Sequence, residues 1–372
     1  MVITIDVVIP SYRLNEKFLL PILELDKPDN CNLNFILIAD NPSIKIPESL
    51  NPYIDRGILS IFINETNLGA HTSRNVGIDR SKSEWILFLD DDIVPDNNLL
   101  FSYVEAIQKE GENVPGFVGL TEYPKAQTIF TKGVLSSDIL TFFTLPRYYT
   151  EMAWGVTANI LIKREAIKDI RFSASFPKKG GGEDIDFCLN IISGYSRRFV
   201  CLPSAKVTHP WWESKESAYK RFFRWAYGDS LLPNKHPEHR YYNLPNVMEF
   251  TFIALLFGIA GYAMNLQIPF IPVVCGIVVG EFFGEWLKLG ILKKEYSLSR
   301  ALISTTIRAS NDMGRLVGNI SRKRINGLFE RFDYFCDGLH VKHEKKWALI
   351  KFTMSWIFIA VFLGIYVSVG GF

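Results

Sequence analysis

Short apolar runs and longer polar stretches alternate along the first 245 residues. Four of the runs are rich in β-branched or aromatic residues and are bounded by Pro, Asn, Asp or Gly: Ile5–Pro10, Phe35–Ala39, Leu59–Ile63 and Trp85–Leu89. Segments of helical length lie between them, among them Glu16–Leu25 and Thr72–Ser81. This alternation predicts an α/β domain in which helices cover a mostly parallel sheet.

The pattern changes after Pro245, where three long apolar segments begin. They cover residues 247–264, 268–287 and 349–369. A helix needs roughly 20 apolar residues to cross a bilayer. We therefore expect a cytosolic α/β domain at 1–245 and a membrane domain at 246–372. The alternative for the first two segments is a buried helical pair in a soluble domain.

Charge predicts the orientation of these spans. The stretch 288–347 holds 13 Lys and Arg against 6 Asp and Glu, and the positive-inside rule places such a loop in the cytosol. The N-terminus lacks the basic start and long apolar stretch of a signal peptide. We expect the C-terminus to lie outside. Residues Ala301–Ile320 of the loop form either an amphipathic helix on the membrane surface or a charged face exposed to water.

Composition excludes some classes of function. A net charge of +2, with no basic stretch interleaved with aromatics in the first 240 residues, gives no reason to expect a nucleic-acid partner. The five cysteines are scattered and include no C-x-x-C pair. Free thiols are therefore expected, rather than a disulfide framework or a zinc site.

The clearest chemical feature is the acidic triplet Asp90, Asp91 and Asp92, which follows the run Trp85–Leu89. Three adjacent carboxylates repel one another, and a divalent cation with a preference for oxygen ligands relieves that repulsion. Ligands of an open parallel sheet bind beyond the carboxyl ends of its strands. Asp90 and Asp92 are therefore predicted to hold Mn²⁺ or Mg²⁺ on a diphosphate. A solvated acidic turn is the alternative for an isolated triplet.

A second group of candidates follows a later apolar run. His209 ends that run and is either a third metal ligand or a structural histidine. Trp211 and Trp212 come next, and they could stack on a sugar or an acceptor, or lie at the membrane surface.

A glycine-rich segment supplies a candidate general base. Three glycines, Gly180–Gly182, precede Glu183 and Asp184 at the start of a predicted helix. Glycines give a mobile loop or a close backbone approach, and a carboxylate beside such a loop can deprotonate an acceptor hydroxyl. Favourable placement of acids at a helix N-terminus is the alternative.

Further polar residues are candidates for donor and acceptor contacts. Asp40 ends a strand and could bind a base or ribose, or cap a turn. Arg74 lies one turn into a helix that begins with a glycine turn, and it could bind a base, ribose or phosphate. Arg221 and Arg224 share a helix face and could neutralise phosphates, with Trp225 as an acceptor floor. A basic helix resting on lipid headgroups is the alternative.

In this order, the motifs VIPSY, Asp40, NLGAHTSRNVG, FLDDD, GGGED and RFFRW resemble the inverting family 2 glycosyltransferases with the GT-A fold, over about residues 4–230. The resemblance implies a nucleotide-binding α/β sheet joined to an acceptor-binding half. It implies a metal on Asp90 and Asp92, and Asp184 as the base with Glu183 beside it. The nucleotide-sugar residues implied are Pro10, Tyr12, Asp40, Arg74, Asp90 and Asp91.

One departure from the family bears on the product. RFFRW resembles the Q-x-x-R-W motif of polymerising members, but Arg221 stands where that motif has Gln. We therefore expect transfer of one sugar from a nucleotide diphosphate sugar to a lipid-linked or glycan acceptor. A polyprenyl-phosphate glycosyltransferase and a polysaccharide synthase are alternatives within the class. A membrane nucleotidyltransferase and a non-catalytic sugar-nucleotide-binding scaffold are alternatives of other classes.

Overall fold

The computed structural model describes residues 2–211, 215–266 and 268–369. The strands are β1 Ile3–Ser11, β2 Cys31–Ala39, β3 Leu59–Ile63, β4 Trp85–Leu89, β5 Val94–Pro95, β6 Gly116–Glu122, β7 Glu151–Met152, β8 Asn159–Lys163, β9 Phe199–Thr208, β10 Arg240–Tyr242 and β11 Glu330–Phe332. The α-helices are α1 Glu16–Leu23, α2 Asn51–Asp55, α3 Ala70–Arg80, α4 Leu99–Glu110, α5 Ile129–Ser136, α6 Thr141–Thr144, α7 Arg164–Ile167, α8 Glu183–Ile192, α9 Lys215–Asp229, α10 Leu232–Lys235, α11 Val247–Ala263, α12 Phe270–Lys293, α13 Leu298–Ser321 and α14 Leu339–Ser368.

The chain divides into two compact units. The first comprises Met1–Lys125 and Leu140–Trp212, and the second comprises Ala126–Ile139 and Glu213–Phe372. The first unit holds β1 to β9, and the second holds β10, β11, α5 and the helices from α9 onward. The expected division at residue 245, between a cytosolic and a membrane part, stays a prediction.

The sheet of the first unit confirms the predicted α/β fold, but its strands do not run in the predicted directions. Its strand order is β3-β2-β1-β4-β8-β6-β9-β5, with β7 also paired to β9. The pairings among β1 to β4 are parallel, as is that of β6 with β9. The other pairings are antiparallel, so a mostly parallel sheet was the wrong expectation. Strand β8 lies between β4 and β6 and runs against both, because strand direction is set by the connections between distant segments.

Strand directions bring several chain segments to one edge of the sheet. The parallel strands β1, β2 and β4 end there, at Ser11, Ala39 and Leu89. Strand β8 runs against β4 and begins at this edge, because Asn159 pairs with Leu89. Strand β6 runs against β8, and β9 runs with β6, so the end of β9 at Thr208 also reaches this edge.

Two contacts bind the helix α3 and the turn after it to the sheet. A Cβ on Gly77 would lie 2.2 Å from a methyl carbon of Val8, so only glycine allows this approach of α3 to β1. The buried carboxylate of Asp6 accepts hydrogen bonds from the backbone and hydroxyl of Ser83 and from the hydroxyl of Ser81, at 2.7–2.9 Å. These contacts connect β1 with the start of β4.

The second unit contains the apolar helices predicted for the C-terminal part. Helices Phe270–Lys293 and Leu339–Ser368, with mean hydropathies of 1.7 and 2.1, are compatible with crossing a membrane by length and composition. Helix Val247–Ala263 is apolar but has only 17 residues. Its role as a further span, the orientation of the helices and the cytosolic placement of the N-terminal part stay predictions.

Several buried charges in the second unit are paired. Lys351 Nζ on α14 lies 2.7 Å from Glu281 Oε1 and 2.6 Å from Glu285 Oε2, both on α12. Glu249 of α11 forms ion pairs with Arg315 and with Arg331, the latter at 2.8 Å. Such pairs compensate the cost of removing charges from water.

Candidate active site

Three side chains of types that can bind a metal ion converge at the sheet edge. Ligand atoms of Asp90, Asp92 and His209 all lie within 4.8 Å of one another. Asp90 and Asp92 follow β4 directly, and His209 follows β9. The two segments meet because β4 and β9 run in the same direction and end at the same edge.

The donor set suits a divalent cation. His209 Nδ1 lies 2.7 Å from the carbonyl oxygen of Pro210, and an N–H donated there leaves the lone pair on Nε2. Nε2 lies 3.3 Å from Asp92 Oδ1. A neutral imidazole nitrogen facing a carboxylate oxygen is unfavourable without a proton or a cation between them. Two carboxylates and one imidazole therefore fit the predicted Mn²⁺ or Mg²⁺.

Arg74 lies between the metal-ligating acids and the predicted base. The residue is 5% exposed, and its Nη2 donates to Asp90 Oδ1 at 2.8 Å. Nη1 lies 3.9 Å from Asp184 Oδ1. The guanidinium therefore neutralises carboxylates of both groups, and its predicted contact with the nucleotide stays a prediction.

The acids of the glycine-rich segment open α8, as predicted. Gly180, Gly181 and Gly182 have φ angles of 88°, 120° and 83°, which favour glycine. Gly181 N–H donates to Glu183 Oε2 at 2.5 Å. Burial, together with the adjacent charge of Asp184, raises the pKa of Glu183 to about 8.

Asp184 is the more accessible of the two acids. Its side chain is 23% exposed, whereas Glu183 is 6% exposed as a residue. The backbone N–H and the hydroxyl of Thr157 donate to Asp184 Oδ2 at 3.1 and 3.0 Å. Burial raises the pKa of Asp184, while the Arg74 charge and the hydrogen bonds from Thr157 lower it. Asp184 thus combines a partly exposed side chain and a fixed orientation with an oxygen, Oδ1, that is buried without a hydrogen-bond partner among the described residues.

The middle acid of the triplet has a different partner. Ser11 Oγ, at the end of β1, donates to Asp91 Oδ2 at 2.5 Å. Burial, opposed by this hydrogen bond and assisted by the charges of Asp92 and Asp90, raises the pKa of Asp91 to about 6. Asp91 is therefore attached to the β1 loop, where the nucleotide contact of the VIPSY segment is predicted.

The other predicted nucleotide residues lie on neighbouring strand ends. Asp40 Oδ1 accepts from the backbone N–H of Leu68 at 2.7 Å and Oδ2 from that of Gly69 at 2.8 Å. Asp40 therefore shapes the loop before α3, which matches the turn alternative. Pro10 is buried and Tyr12 is 52% exposed. A nucleotide contact of these three residues stays a prediction.

The predicted acceptor residues are distributed over both units. Trp211 packs on Tyr123 with ring centroids 5.0 Å apart and donates its indole N–H to the carbonyl of Pro124 at 2.9 Å. Trp212 lies outside the described residues. Arg221, Arg224 and Trp225 lie on α9 of the second unit, and their contact with acceptor or diphosphate stays a prediction.

Sequence reasoning missed three residues of this region. Ser11 binds Asp91, Thr157 binds Asp184, and the ring of Tyr123 lies 5.6 Å from that of His209. Ser11 ends a strand beside a proline and could have been identified from that position. Thr157 and Tyr123 have no local signal, because their partners are 27 and 86 residues away in the chain.

Comparison with known proteins finds a family match in the N-terminal part of the chain. Residues 6–171 match the family model described as glycosyl transferase family 2. The succinoglycan biosynthesis protein ExoM of Rhizobium meliloti is 30% identical over 193 residues, which are 49% of this chain and 59% of that protein. The amylovoran biosynthesis glycosyltransferase AmsB of Erwinia amylovora is 24% identical over 193 residues, covering 50% and 63%.

These matches span less than two thirds of each relative's length. A solved structure of S. aureus TarS 1-349 aligns with a TM-score of 0.44 and 17% identity, covering 87% of this chain and 92% of that one. The matched region 6–171 includes the acidic triplet, and the mixed α/β sheet is typical of the GT-A fold. Residues 6–171 of the chain therefore match a glycosyl transferase family 2 domain.

Proposed function

We propose that this chain transfers one sugar from a nucleoside diphosphate donor to a membrane-associated acceptor, with inversion at the anomeric carbon. The observation that carries the proposal is the position of Arg74, with Asp90 on one side and Asp184 on the other. A cation site for a diphosphate and a base for an acceptor hydroxyl thereby lie next to each other. A binding scaffold needs no base at that position.

Each group of residues has a separate task in this proposal. Asp90, Asp92 and His209 hold Mn²⁺ or Mg²⁺, which when bound offsets the negative charge of the diphosphate. Asp184 takes the proton of the acceptor hydroxyl. The hydroxyl oxygen forms a bond to the anomeric carbon from the side opposite the diphosphate, whose bond to that carbon breaks. The proton remains on the Asp184 carboxyl group, and the nucleoside diphosphate leaves with the electron pair.

The acceptor is proposed from two lines of support. The apolar helices Phe270–Lys293 and Leu339–Ser368 are compatible with a membrane. The names of the relatives ExoM and AmsB refer to the biosynthesis of two polysaccharides. A lipid-linked glycan under assembly satisfies both. A polyprenyl phosphate acceptor would already be ionised, and Asp184 would then bind or orient it instead of removing a proton.

The test is a screen of nucleotide sugars with purified protein in detergent and a membrane lipid extract as acceptor. We expect release of nucleoside diphosphate from one donor, lost with a chelator and in Asp92→Asn. Release of pyrophosphate instead would indicate a nucleotidyltransferase. Absence of both turnover and nucleotide-sugar binding, with a cooperative unfolding transition proving that the protein is folded, would contradict the proposal.

A further inference from the structure

Thr157 contacts the proposed base from a buried position. It precedes β8 at the sheet edge and is 3% exposed. Its N–H and its hydroxyl both donate to the same oxygen, Asp184 Oδ2, at 3.1 and 3.0 Å. Two donors from one rigid residue restrict rotation of the carboxyl group, because any turn about its side-chain bonds breaks both hydrogen bonds.

The charged groups that face Asp184 come from three segments. They are Arg74 on α3, Asp90 after β4 and Glu183 on α8. Arg74 is shared, because its nearer contact is Asp90 at 2.8 Å and Asp184 Oδ1 lies at 3.9 Å. Thr157 therefore donates hydrogen bonds of normal length to Asp184, whereas Arg74 contributes its charge from a longer distance.

We infer that Thr157 is a positioning residue for the reaction, and that its hydroxyl orients the Asp184 carboxylate toward the acceptor hydroxyl and keeps it ionised. The inference rests on the proposed function. A hydrogen bond to the charged form of a carboxyl group favours that form. Loss of the hydroxyl should therefore leave a base that is less well oriented and ionises only at higher pH.

A matched control exists on the adjacent strand β6. Thr121 is 0% exposed, and its hydroxyl oxygen is buried without a hydrogen-bond partner among the described residues. Thr121→Val and Thr157→Val remove the same atom from equally buried sites of the same unit. Only Thr157→Val removes a contact with Asp184.

The experiment compares Thr157→Val, Thr157→Ser and Thr121→Val with the unmodified protein, using the donor found in the screen. We expect Thr157→Val to lower kcat by about tenfold, the worth of one hydrogen bond to a charged group, with KM for the donor unchanged. The acidic limb of its pH–kcat profile should shift to higher pH. Thr157→Ser keeps the hydroxyl and should restore both values, and Thr121→Val should change neither.

Thermal unfolding and calorimetric binding of the nucleoside diphosphate of that donor, with Mn²⁺, separate folding defects from loss of positioning. If Thr157→Val does not fold, Thr157→Ala carries the same expectation. An unchanged kcat and acidic limb in a folded hydroxyl-free variant would overturn the inference alone, as would equal losses in Thr157→Val and Thr157→Ser. If the unmodified protein turns over no donor, the proposed function fails and this inference fails with it.

Discussion

Buried charges are arranged differently in the two compact units. In the first unit, two acidic segments lie on either side of a single guanidinium, that of Arg74. These segments contribute five carboxyl groups, those of Asp90, Asp91, Asp92, Glu183 and Asp184. In the second unit Glu249, Glu281 and Glu285 each form an ion pair with a lysine or an arginine. The first arrangement leaves negative charge for a ligand to neutralise, whereas these three glutamates of the second unit are matched by cations.

This difference separates a site from a structural network. Excess like charge at partly buried positions destabilises the fold and raises carboxyl pKa values, as at Asp91 and Glu183. Ion pairs between helices hold the helices in register and take no part in a reaction. Substitutions should therefore reduce activity in the first unit and stability in the second.

The largest effect is expected at the proposed base. Asp184→Asn keeps the size of the side chain but cannot take a proton, so kcat should fall about 10³-fold. Release of nucleoside diphosphate from the donor found in the screen measures it. Asp79→Asn is the control, because Asp79 is exposed and forms an ion pair with Arg171. Full activity of Asp184→Asn would favour an acceptor that is already ionised.

Substitution within the ion pairs of the second unit should lower the stability of the protein and leave kcat unchanged. Lys351→Met leaves Glu281 and Glu285 without their shared cation, and the free energy of unfolding should fall by about 3 kcal/mol. Thermal unfolding in detergent measures the loss, and kcat per folded molecule should stay unchanged. A loss of kcat with unchanged stability would contradict a purely structural role of these ion pairs.

The metal site should show an intermediate effect. His209→Ala removes one of three ligands, so the affinity for Mn²⁺ in the presence of nucleotide should fall about 10- to 100-fold. Titration calorimetry measures this change directly. Trp211→Phe is a suitable control, because it alters a neighbouring ring without touching the ligand atoms. Equal Mn²⁺ affinities of His209→Ala and the unmodified protein would restrict the site to the aspartates.

The smallest effect is a pH dependence of stability at Glu183. The folded state raises the pKa of this carboxyl group from 4.5 to about 8, so it binds the proton more tightly than the unfolded state does. Stability from this group is therefore full below pH 4.5 and decreases as pH rises toward 8. Glu183→Gln should remove the decrease and raise Tm by about 2–4 °C at pH 8, with no gain at pH 4.5. A Tm gain of equal size at both pH values would contradict this assignment.

Local patterns predicted the parts of the fold that depend on neighbouring residues. The bounds of β3 and β4 agree with the apolar runs 59–63 and 85–89. Strand β4 is buried along its whole length, and strands buried on both faces are continuous apolar segments. The acidic triplet was found because it ends such a strand. The antiparallel pairing of β8 with β4 and β6 was not predicted, since strand direction depends on connections between distant segments.

The same limit applies to the site. His209 was predicted as a ligand from its position at the end of a run, and the structure brings it within 3.3 Å of Asp92. Arg74 was identified as a cation near the nucleotide, but the sequence does not show that carboxylates from two other segments face it. Contacts of this kind depend on sheet register, which no local pattern contains.

Metal-dependent binding of a nucleoside diphosphate is the first property to measure, because the proposed reaction requires it. UDP, GDP, ADP, CDP and dTDP would each be titrated calorimetrically into the purified protein, with Mn²⁺ and with a chelator. We expect at least one of them to bind only in the presence of Mn²⁺. We expect Asp92→Asn to lose this binding while it stays folded. Binding that is indifferent to the chelator and to Asp92→Asn, or no binding of any of the five by folded protein, would contradict it.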